Sequence, residues 1–419
     1  MKAKIRGLRW YIVALLCFAS GLNYLDRQTL SILAQTIQDE LNLTTVQYSY
    51  ITSAFLLSYT IMYAVNGRLI DWLGTRRSLL LFVSGWSIAN VLHAFATTTL
   101  QFSFFRFLLG ATESGHFPAG VKAVTEWFPM RERALAIGLF NSGTAVGAAI
   151  AAPVVSWIAL TWGWRDAFVA GGVLGGVWVV VWARCYRLPR DHPRLSEEES
   201  QLIEADERHE EPKERVSVKR LLRERAVWGC ILARVLTDPI SYFFIFWTPK
   251  FLQQERGFNL ADLGRYSWIP FVVAALGNIA GGVIPQRLTS AGWSLDRARK
   301  SVMLAASCIV PLCCFAVVRV PTPAWAVVMI SVAMFCHGAW ANMTLPAELF
   351  PRHVVATVSG FGGASGAFIG ALVTPLIGWT VQNISFTPVF GVIAFLPLIA
   401  FLCVCGLVKK IGIRREIPI

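Results

Sequence analysis

The sequence predicts an all-α membrane protein of twelve transmembrane helices in two parallel six-helix halves. Three observations carry that prediction. The 419 residues are 55% hydrophobic and only 15% charged, where soluble proteins carry about 25% charged residues. Apolar runs of membrane-spanning length recur along the chain. The second half repeats the pattern of the first at a fixed offset.

A helix needs ~20 apolar residues to cross a bilayer. The runs that qualify are roughly 9–35, 47–70, 78–97, 100–122, 133–157, 165–186, 226–249, 263–285, 300–318, 324–346, 355–380 and 386–408. The first follows a basic start, as a signal peptide would. It is too long for one and lacks a small-x-small cleavage site, so it is expected to stay in the mature protein. One long polar stretch, 187–225, divides the runs six and six. The expected organisation is therefore a first half at 1–186, a linker at 187–225 and a second half at 226–419. Sliding the second half back by 222 positions lays "EWFPMRERALAIGLFNSGTAVGAAIAAPVVSW" over "ELFPRHVVATVSGFGGASGAFIGALVTPLIGW" without a gap. Glu126, Phe128, Pro129, Ala134, Gly138, Pro153 and Trp157 then meet Glu348, Phe350, Pro351, Ala356, Gly360, Pro375 and Trp379. Parallel repeats of this kind bind substrate between the halves, near the midplane. Gly362, Gly366 and Gly370, four positions apart, are expected to let helices pack closely.

The net charge of +13 does not point to nucleic acid. The basic residues concentrate in alternate loops: Lys2, Lys4, Arg6 and Arg9, then Arg68, Arg76, Arg77, Arg131 and Arg133. The same side takes the central linker, Arg297, Arg299, Lys300, Arg352, Lys409, Lys410, Arg414 and Arg415. This is the positive-inside pattern, so both termini and the linker are expected in the cytoplasm. The environment of the chain is the lipid bilayer, and a monomer is expected to suffice. Most of the nine cysteines fall within spans, where they act as small apolar residues.

Ionisable groups inside a membrane are rare and mark function or a partner. Here they are Asp26 and Arg27 in the first span, Arg106, Glu113, His116 and Lys122 in the fourth, Arg234 and Asp238 in the seventh and His337 in the tenth. Sequence neighbours on a helix do not face each other, so Asp26 and Arg27 need separate partners. Both lie about 7–8 Å outward of their span's middle at a 1.5 Å rise per residue, as does Arg106. An Asp26–Arg106 pair would leave Arg27 and Glu113 for a ligand and a proton. Arg234 and Asp238, at i and i+4, can pair locally. No G-x-x-x-x-G-K-[ST] loop or metal-ligand cluster occurs, so no cofactor is expected and ATP is excluded as the driving force. What remains is a channel, a sensor or a secondary transporter, and an enzyme is not expected. A guanidinium favours a carboxylate or phosphate, and a buried carboxylate can carry a proton.

The segment "GRLIDWLGTRR" (67–77) resembles the G-x-L-a-D-r-x-G-r-r signature of the major facilitator superfamily, through Gly67, Asp71, Gly74, Arg76 and Arg77. The resemblance implies the major facilitator fold and a cytoplasmic gate in which Asp71 meets Arg131 or Arg133. The second-half counterpart has Pro285 and Gln286 in the acidic region, so the gate is expected to be asymmetric. Within the superfamily, "NYLDRQTLS" and "RFLLGATESGHFPAGVKAVTEWFPMRERALAIG" resemble the anion:cation symporter family. The segments "KIRGLRWYIVAL", "VQYSYI" and "GFNLADLGRYSWIP" are most similar to its hexuronate branch, which Arg234 and His337 also resemble.

That resemblance implies a proton-coupled importer of a small anionic solute, a sugar acid such as glucuronate or galacturonate. Alternatives are an aldonate or aldarate such as galactonate or glucarate, sodium in place of protons, or a sensor that binds a sugar acid without moving it. It implies that Arg27 engages the substrate carboxylate, that Asp26 and Glu113 couple protons, that Arg106 interacts with Glu113, and that Tyr24 and Tyr59 line the site. Asn141, Asn342, Ser365 and Trp340 are added as candidate ligands on polarity alone; Thr144 stands where the galactonate branch has Gln. The topology is testable at once. In a cysteine-free background, a cysteine at Asn42 should react with an impermeant thiol reagent only from outside, and one at Arg208 only from inside. The reverse pattern would invert the arrangement.

Overall fold

The computed structural model describes residues 4–207, 218–340 and 344–412. These are almost wholly helical; among them there is no strand, only an isolated bridge between Ile5 and Leu195. Eight helices are long and apolar enough to cross a membrane unaided. The remaining spans are two fused end to end, one broken in its middle and one of 17 residues.

The first span is Leu8–Ile32, continued past a bend at Leu33 by Ala34–Leu41. The second and third share the helix Thr45–His93, parted at Gly74 with φ 73° and ψ 160°. Only glycine adopts that conformation without a Cβ clash, so 45–73 and 75–93 are separate spans. The fourth is Thr99–Glu113 followed by His116–Trp127. Pro118 has no N–H to give the Ser114 carbonyl, and a Cβ on Gly115 would lie 2.3 Å from the Phe82 ring. The sequence reading took 100–122 as unbroken; the structure breaks it just after Glu113. The fifth and sixth are Met130–Thr161 and Trp164–Cys185.

The second half follows as Arg225–Arg256, Leu260–Tyr266 with Ile269–Ser290, Leu295–Val317, Pro323–Ala339 with Leu345–Leu349, Arg352–Asn383 and Thr387–Leu407. Each apolar run read from the sequence falls on one of these twelve spans. The internal repeat has a structural counterpart. The fifth and eleventh spans are both 32 residues long, both follow a proline N-cap (Pro129, Pro351), and carry Pro153 and Pro375 at the same depth.

Packing repeats as well. The first span runs along the fifth and the seventh along the eleventh; the second runs along the fourth and the eighth along the tenth. Close approach depends on missing side chains. A Cβ on Gly143 would fall 2.0 Å from the Cys17 carbonyl oxygen, and one on Gly147 2.2 Å from that of Gly21. Between the halves, the second span meets the eleventh and the fifth meets the eighth, which is one contact and its image under exchange of halves.

Among the described residues, every hydrogen bond between the halves lies at one end of this seam. Gln35 accepts from Gln254 Nε2 (3.0 Å), Gln38 accepts from Lys250, and the Val46 amide donates to Gln382 (3.0 Å). The Tyr48 hydroxyl donates to the Phe246 carbonyl (2.7 Å) and Ser53 to that of Ala371 (2.6 Å). Beside this end, Arg165 and Trp164 donate to Glu40 (2.5 and 2.6 Å) and hold its carboxyl below the usual range.

The opposite end carries the N-terminal segment and the start of the linker. Glu199, 4% exposed, accepts from the Leu8 and Arg9 amides (3.0 and 3.1 Å) and from the Arg9 guanidinium (2.8 Å). It thereby caps free amides at the positive end of the first span. Arg9 also binds Glu132 at the start of the fifth span (3.0 Å), so the helix Glu197–Glu207 is fastened to the first half.

Overpacking costs about 1–3 kcal/mol. Gly147→Val should therefore lower the unfolding midpoint in detergent by several degrees. Gly138→Ala, with nothing within 4 Å of its Cβ position, should leave that midpoint within a degree or so. Thermal unfolding monitored by size exclusion measures both.

Candidate functional site

Asp26 and Arg27 are separated by one residue's rotation about the first span, and that rotation sends them to different places. Arg27, 5% exposed, reaches the fourth span: its Nη2 and Nε donate to Glu113 Oε2 at 2.9 and 3.2 Å. Nη2 also donates to Asn23 Oδ1, one turn earlier (3.2 Å). Aromatic faces surround the guanidinium, its carbon lying 4.8 Å from the Tyr24 ring centroid, 5.1 Å from Phe55 and 5.3 Å from Tyr59. Such contacts stabilise a desolvated cation by about 2 kcal/mol. Glu113 is fully buried and its Oε1 has no hydrogen-bond partner.

Asp26 turns instead into the interior of the first half. Its Oδ1 accepts from Asn90 Nδ2 of the third span (2.9 Å), which also donates to the Phe168 carbonyl of the sixth (3.0 Å). Gly171 leaves the room; a Cβ there would lie 2.4 Å from Asp26 Oδ1. Arg106 is 1% exposed, and its Nε and Nη2 are without hydrogen-bond partners. It is near enough to feel the charges of both Glu113 and Asp26, yet among the described residues no ion pair joins it to either. The expected Asp26–Arg106 pair is thus absent, and the partner of Glu113 is Arg27. The depth argument set Asp26 and Arg27 level with Arg106, whereas the Arg27 side chain reaches Glu113, seven residues further along the fourth span.

The second half contributes another buried pair. Arg234 Nη2 and Nε lie 2.8 and 2.9 Å from Asp238 Oδ2, within one turn of the seventh span. The glycine stripe faces this pair and does more than bring backbones together. Cβ atoms on Gly362, Gly366 and Gly370 would fall against Arg234, Asp238 and Tyr242 in turn. Small residues on the eleventh span make space for a polar ridge on the seventh. His337 shares a hydrogen bond of 2.5 Å with Ser241, and Ser365 is half-buried on the eleventh span.

Other candidates lie elsewhere. Asn141 is exposed on the fifth span. Trp340 is buried toward the ninth, its Nε1 donating to Ser307 (3.0 Å), so it serves packing there. Asn342 lies outside the described residues. At the gate, Asp71 pairs with Lys122 (2.8 Å), and no ion pair among the described residues joins it to Arg131 or Arg133. Arg133 donates to the carbonyls of Phe128 and Thr125 (3.0 and 3.1 Å), and Arg131 lies 3.9 Å from Glu132. Arg76 donates to the Ala183 carbonyl (2.5 Å), and Arg77 is exposed. Lys122 wins because the fourth span runs beside the second, whereas Arg133 turns back onto the end of the fourth and Arg131 lies against Glu132 of the fifth.

The sequence reading passed over Asn23, Phe55, Asn90 and Tyr242. Asn23 was within reach of it, standing four residues before Arg27 on the same helix face. The aromatic residues carry no such signal. The seam thus holds two guanidiniums, each neutralised by a carboxylate, with tyrosines 24, 59 and 242 around them. Such a site can take an anion by exchanging it for an internal carboxylate.

The buried pair sets a pH-dependent expectation. Arg27→Met leaves Glu113 without its counter-charge, which costs about 3–5 kcal/mol when the carboxylate stays ionised. At low pH the carboxylate escapes by taking a proton that the folded state then retains, so the destabilisation should grow as pH rises. Adding Glu113→Gln should remove most of that pH dependence. Unfolding midpoints at pH 5.5 and 8 check this.

Residues 16–375 match the profile of the Major Facilitator Superfamily. The chain is 35% identical over 408 residues to the hexuronate transporter of Escherichia coli (strain K12), covering 96% of this chain and 94% of that protein. It is 38% identical over 286 residues to the galacturonate transporter of Dickeya chrysanthemi, covering 67% of this chain and 83% of that one. Among solved structures, a bacterial homologue of the human lysosomal transporter Spinster, in an inward-facing and occupied conformation, superposes with a TM-score of 0.72 at 20% identity. That match covers 97% of this chain and 96% of the other.

Proposed function

This chain belongs to the Major Facilitator Superfamily, a family of transporters and not of enzymes, and from that premise we propose that it is a proton-coupled importer of a sugar acid, a hexuronate such as glucuronate or galacturonate. The observation that carries the proposal is the Arg27–Glu113 pair, buried inside an aromatic box. The names of the relatives, a hexuronate and a galacturonate transporter, support the choice of substrate class.

The coupling follows from charge balance. The substrate carboxylate takes the bidentate face of Arg27, with Tyr24 and Tyr59 against the sugar ring. Glu113, displaced from its cation and still fully buried, becomes a costly charge unless it takes a proton. A substrate anion and a proton then cross together, and release of both lets Glu113 return to Arg27. Arg106, with free donors close by, steadies whichever carboxylate is ionised, and Asp26 on Asn90 is the second proton-coupling candidate. Arg234, His337 and Ser365 bind the far end of the sugar, with the exposed Asn141 and the undescribed Asn342 as outlying candidates. No cofactor or metal enters this cycle, and a single chain suffices for it.

We place the chain in a bacterial inner membrane as a first half, 1–186, a cytoplasmic linker, 187–225, and a second half, 226–419, with both termini inside. The end where the halves are bonded then faces outward, so the seam is sealed outside, where all the hydrogen bonds described between the halves lie. Asp71, Lys122, Arg76, Arg77, Arg131 and Arg133 would form the inner gate. A second reading, import of a sugar diacid such as glucarate, is favoured by one observation, the second buried guanidinium of Arg234.

Uptake of labelled glucuronate into proteoliposomes tests the proposal. Glucuronate and galacturonate should compete, while glucuronamide barely should, since losing such a pairing typically costs about 2–5 kcal/mol. Equal competition by glucuronamide would refute anion recognition, and stronger competition by glucarate would favour the diacid. Glu113→Gln should abolish accumulation driven by a pH gradient while preserving counterflow. A Glu113→Gln protein that still concentrates substrate would exclude Glu113 from coupling.

A further inference from the structure

Lys250 is a buried cation that the cycle above leaves unused. It lies on the seventh span, in the bonded end of the seam, and is 0% exposed. Among the described residues it has no carboxylate within ion-pair distance. Its Nζ donates to the Gln38 side-chain oxygen, across the two halves, and sits 5.6 Å from the Tyr48 ring centroid. Asp39, exposed on the next position, accepts from Gln35 Nε2 instead (2.7 Å). Isolated ammonium groups are expensive to bury, and here a neutral amide and one aromatic face are the compensation. One further donor on the same helix face, Trp247 Nε1, three positions before Lys250, is buried with no hydrogen-bond partner, and its ring packs edge-on to Tyr48 (5.4 Å between centroids).

These groups lie in a surface that must part if substrate enters from that end. Parting would remove Gln38 and Tyr48 from Lys250 and hydrate the ammonium beside an unused donor. A run of contacts also leads from it to the central arginine. Tyr48 binds the Phe246 carbonyl (2.7 Å), Phe246 packs edge-on to Phe55 (6.2 Å between centroids), and Phe55 lies under Arg27.

We propose that Lys250, with the Trp247 donor, is an entry site for the carboxylate of the transported anion, exposed when the outer end opens and closed on Gln38 when it seals. This rests on the reading of the protein as an importer of anions. It assigns the first recognition of charge to the seventh span, before the anion reaches Arg27. Closing the seam buries the ammonium again, so the anion has to be handed on for the outer end to seal.

The test measures glucuronate transport from each face, in right-side-out and inside-out vesicles, at low and high ionic strength. Steering by a charge at the mouth of a cleft raises encounter by roughly tenfold or more and fades with salt. Lys250→Met should raise the apparent KM from the outer face about tenfold at low salt, with little change in Vmax. The difference should shrink at high salt and be absent from the inner face. Lys250→Arg should stay within about twofold of wild type. An unchanged KM, an equal rise from both faces, or Lys250→Arg as impaired as Lys250→Met would overturn the entry site. Should Lys250→Met fail to reach the membrane, Lys250→Cys in a cysteine-free background replaces it. A cationic thiosulfonate adduct should restore the low KM, whereas an anionic one should not; equal effects would overturn the proposal. Wild-type protein that accepts glucuronamide as readily as glucuronate would instead refute the anion reading itself.

Discussion

The buried ion pair between Arg27 and Glu113 is the constraint around which the rest of the molecule is arranged. Neither group could remain charged there alone, since burying an isolated ion costs several kcal/mol even after the protein relaxes. Together they are neutral, and the rings of Tyr24, Phe55 and Tyr59 close over the guanidinium. Glu113 Oε1 and two nitrogens of nearby Arg106 remain unsatisfied, so the arrangement is incomplete in the way a binding site is. Under the proposed function, a carboxylate-bearing ligand completes it by taking the place of Glu113. In the proposed cycle the same exchange links anion binding to protonation.

Such an exchange is useful only if the halves can separate around it. The bonds that seal one end of the seam are few and mostly neutral: amide to amide, hydroxyl to carbonyl. Each contributes about 0.5–1.5 kcal/mol net, enough to hold a gate and small enough to release it. Contacts inside each half are of another kind. Gly143 and Gly147 against the first span, and Gly277 and Gly281 against the tenth, lock backbones together with little freedom to slide. The linker helix, fastened through Glu199 to the first span and through Arg9 to the fifth, adds to the rigidity of the first half.

Much of this was legible in the sequence, for identifiable reasons. Length and hydropathy gave the spans, because a bilayer leaves a helix little choice. The 222-residue offset anticipated paired helices such as Met130–Thr161 and Arg352–Asn383. Gly74 marked its turn because only glycine fits there. Scarcity made the intramembrane charges conspicuous, so Arg27, Glu113, Arg234 and Asp238 stood out. What stayed hidden was rotation about helix axes. A 1.5 Å rise gives depth, but which neighbour a side chain meets depends on packing set by residues far away in sequence. That is why Asp26 was matched to Arg106 when it faces Asn90, and Asp71 to Arg131 or Arg133 when it faces Lys122. It is also why the glycine stripe was read as a helix contact when it shelters Arg234, Asp238 and Tyr242. The break after Glu113 was missed because Pro118 lies inside an otherwise unbroken apolar run.

The central claim is that a substrate anion displaces Glu113 from Arg27 and that Glu113 then takes up a proton. Proton uptake on binding measures this without any membrane. Purified protein in detergent would be titrated with glucuronate near neutral pH by calorimetry in buffers of different ionisation enthalpy. The account predicts uptake of close to one proton per anion bound in the wild type, and loss of most of that uptake in Glu113→Gln with binding retained. Binding with no proton uptake, or uptake that Glu113→Gln leaves unchanged, would contradict it.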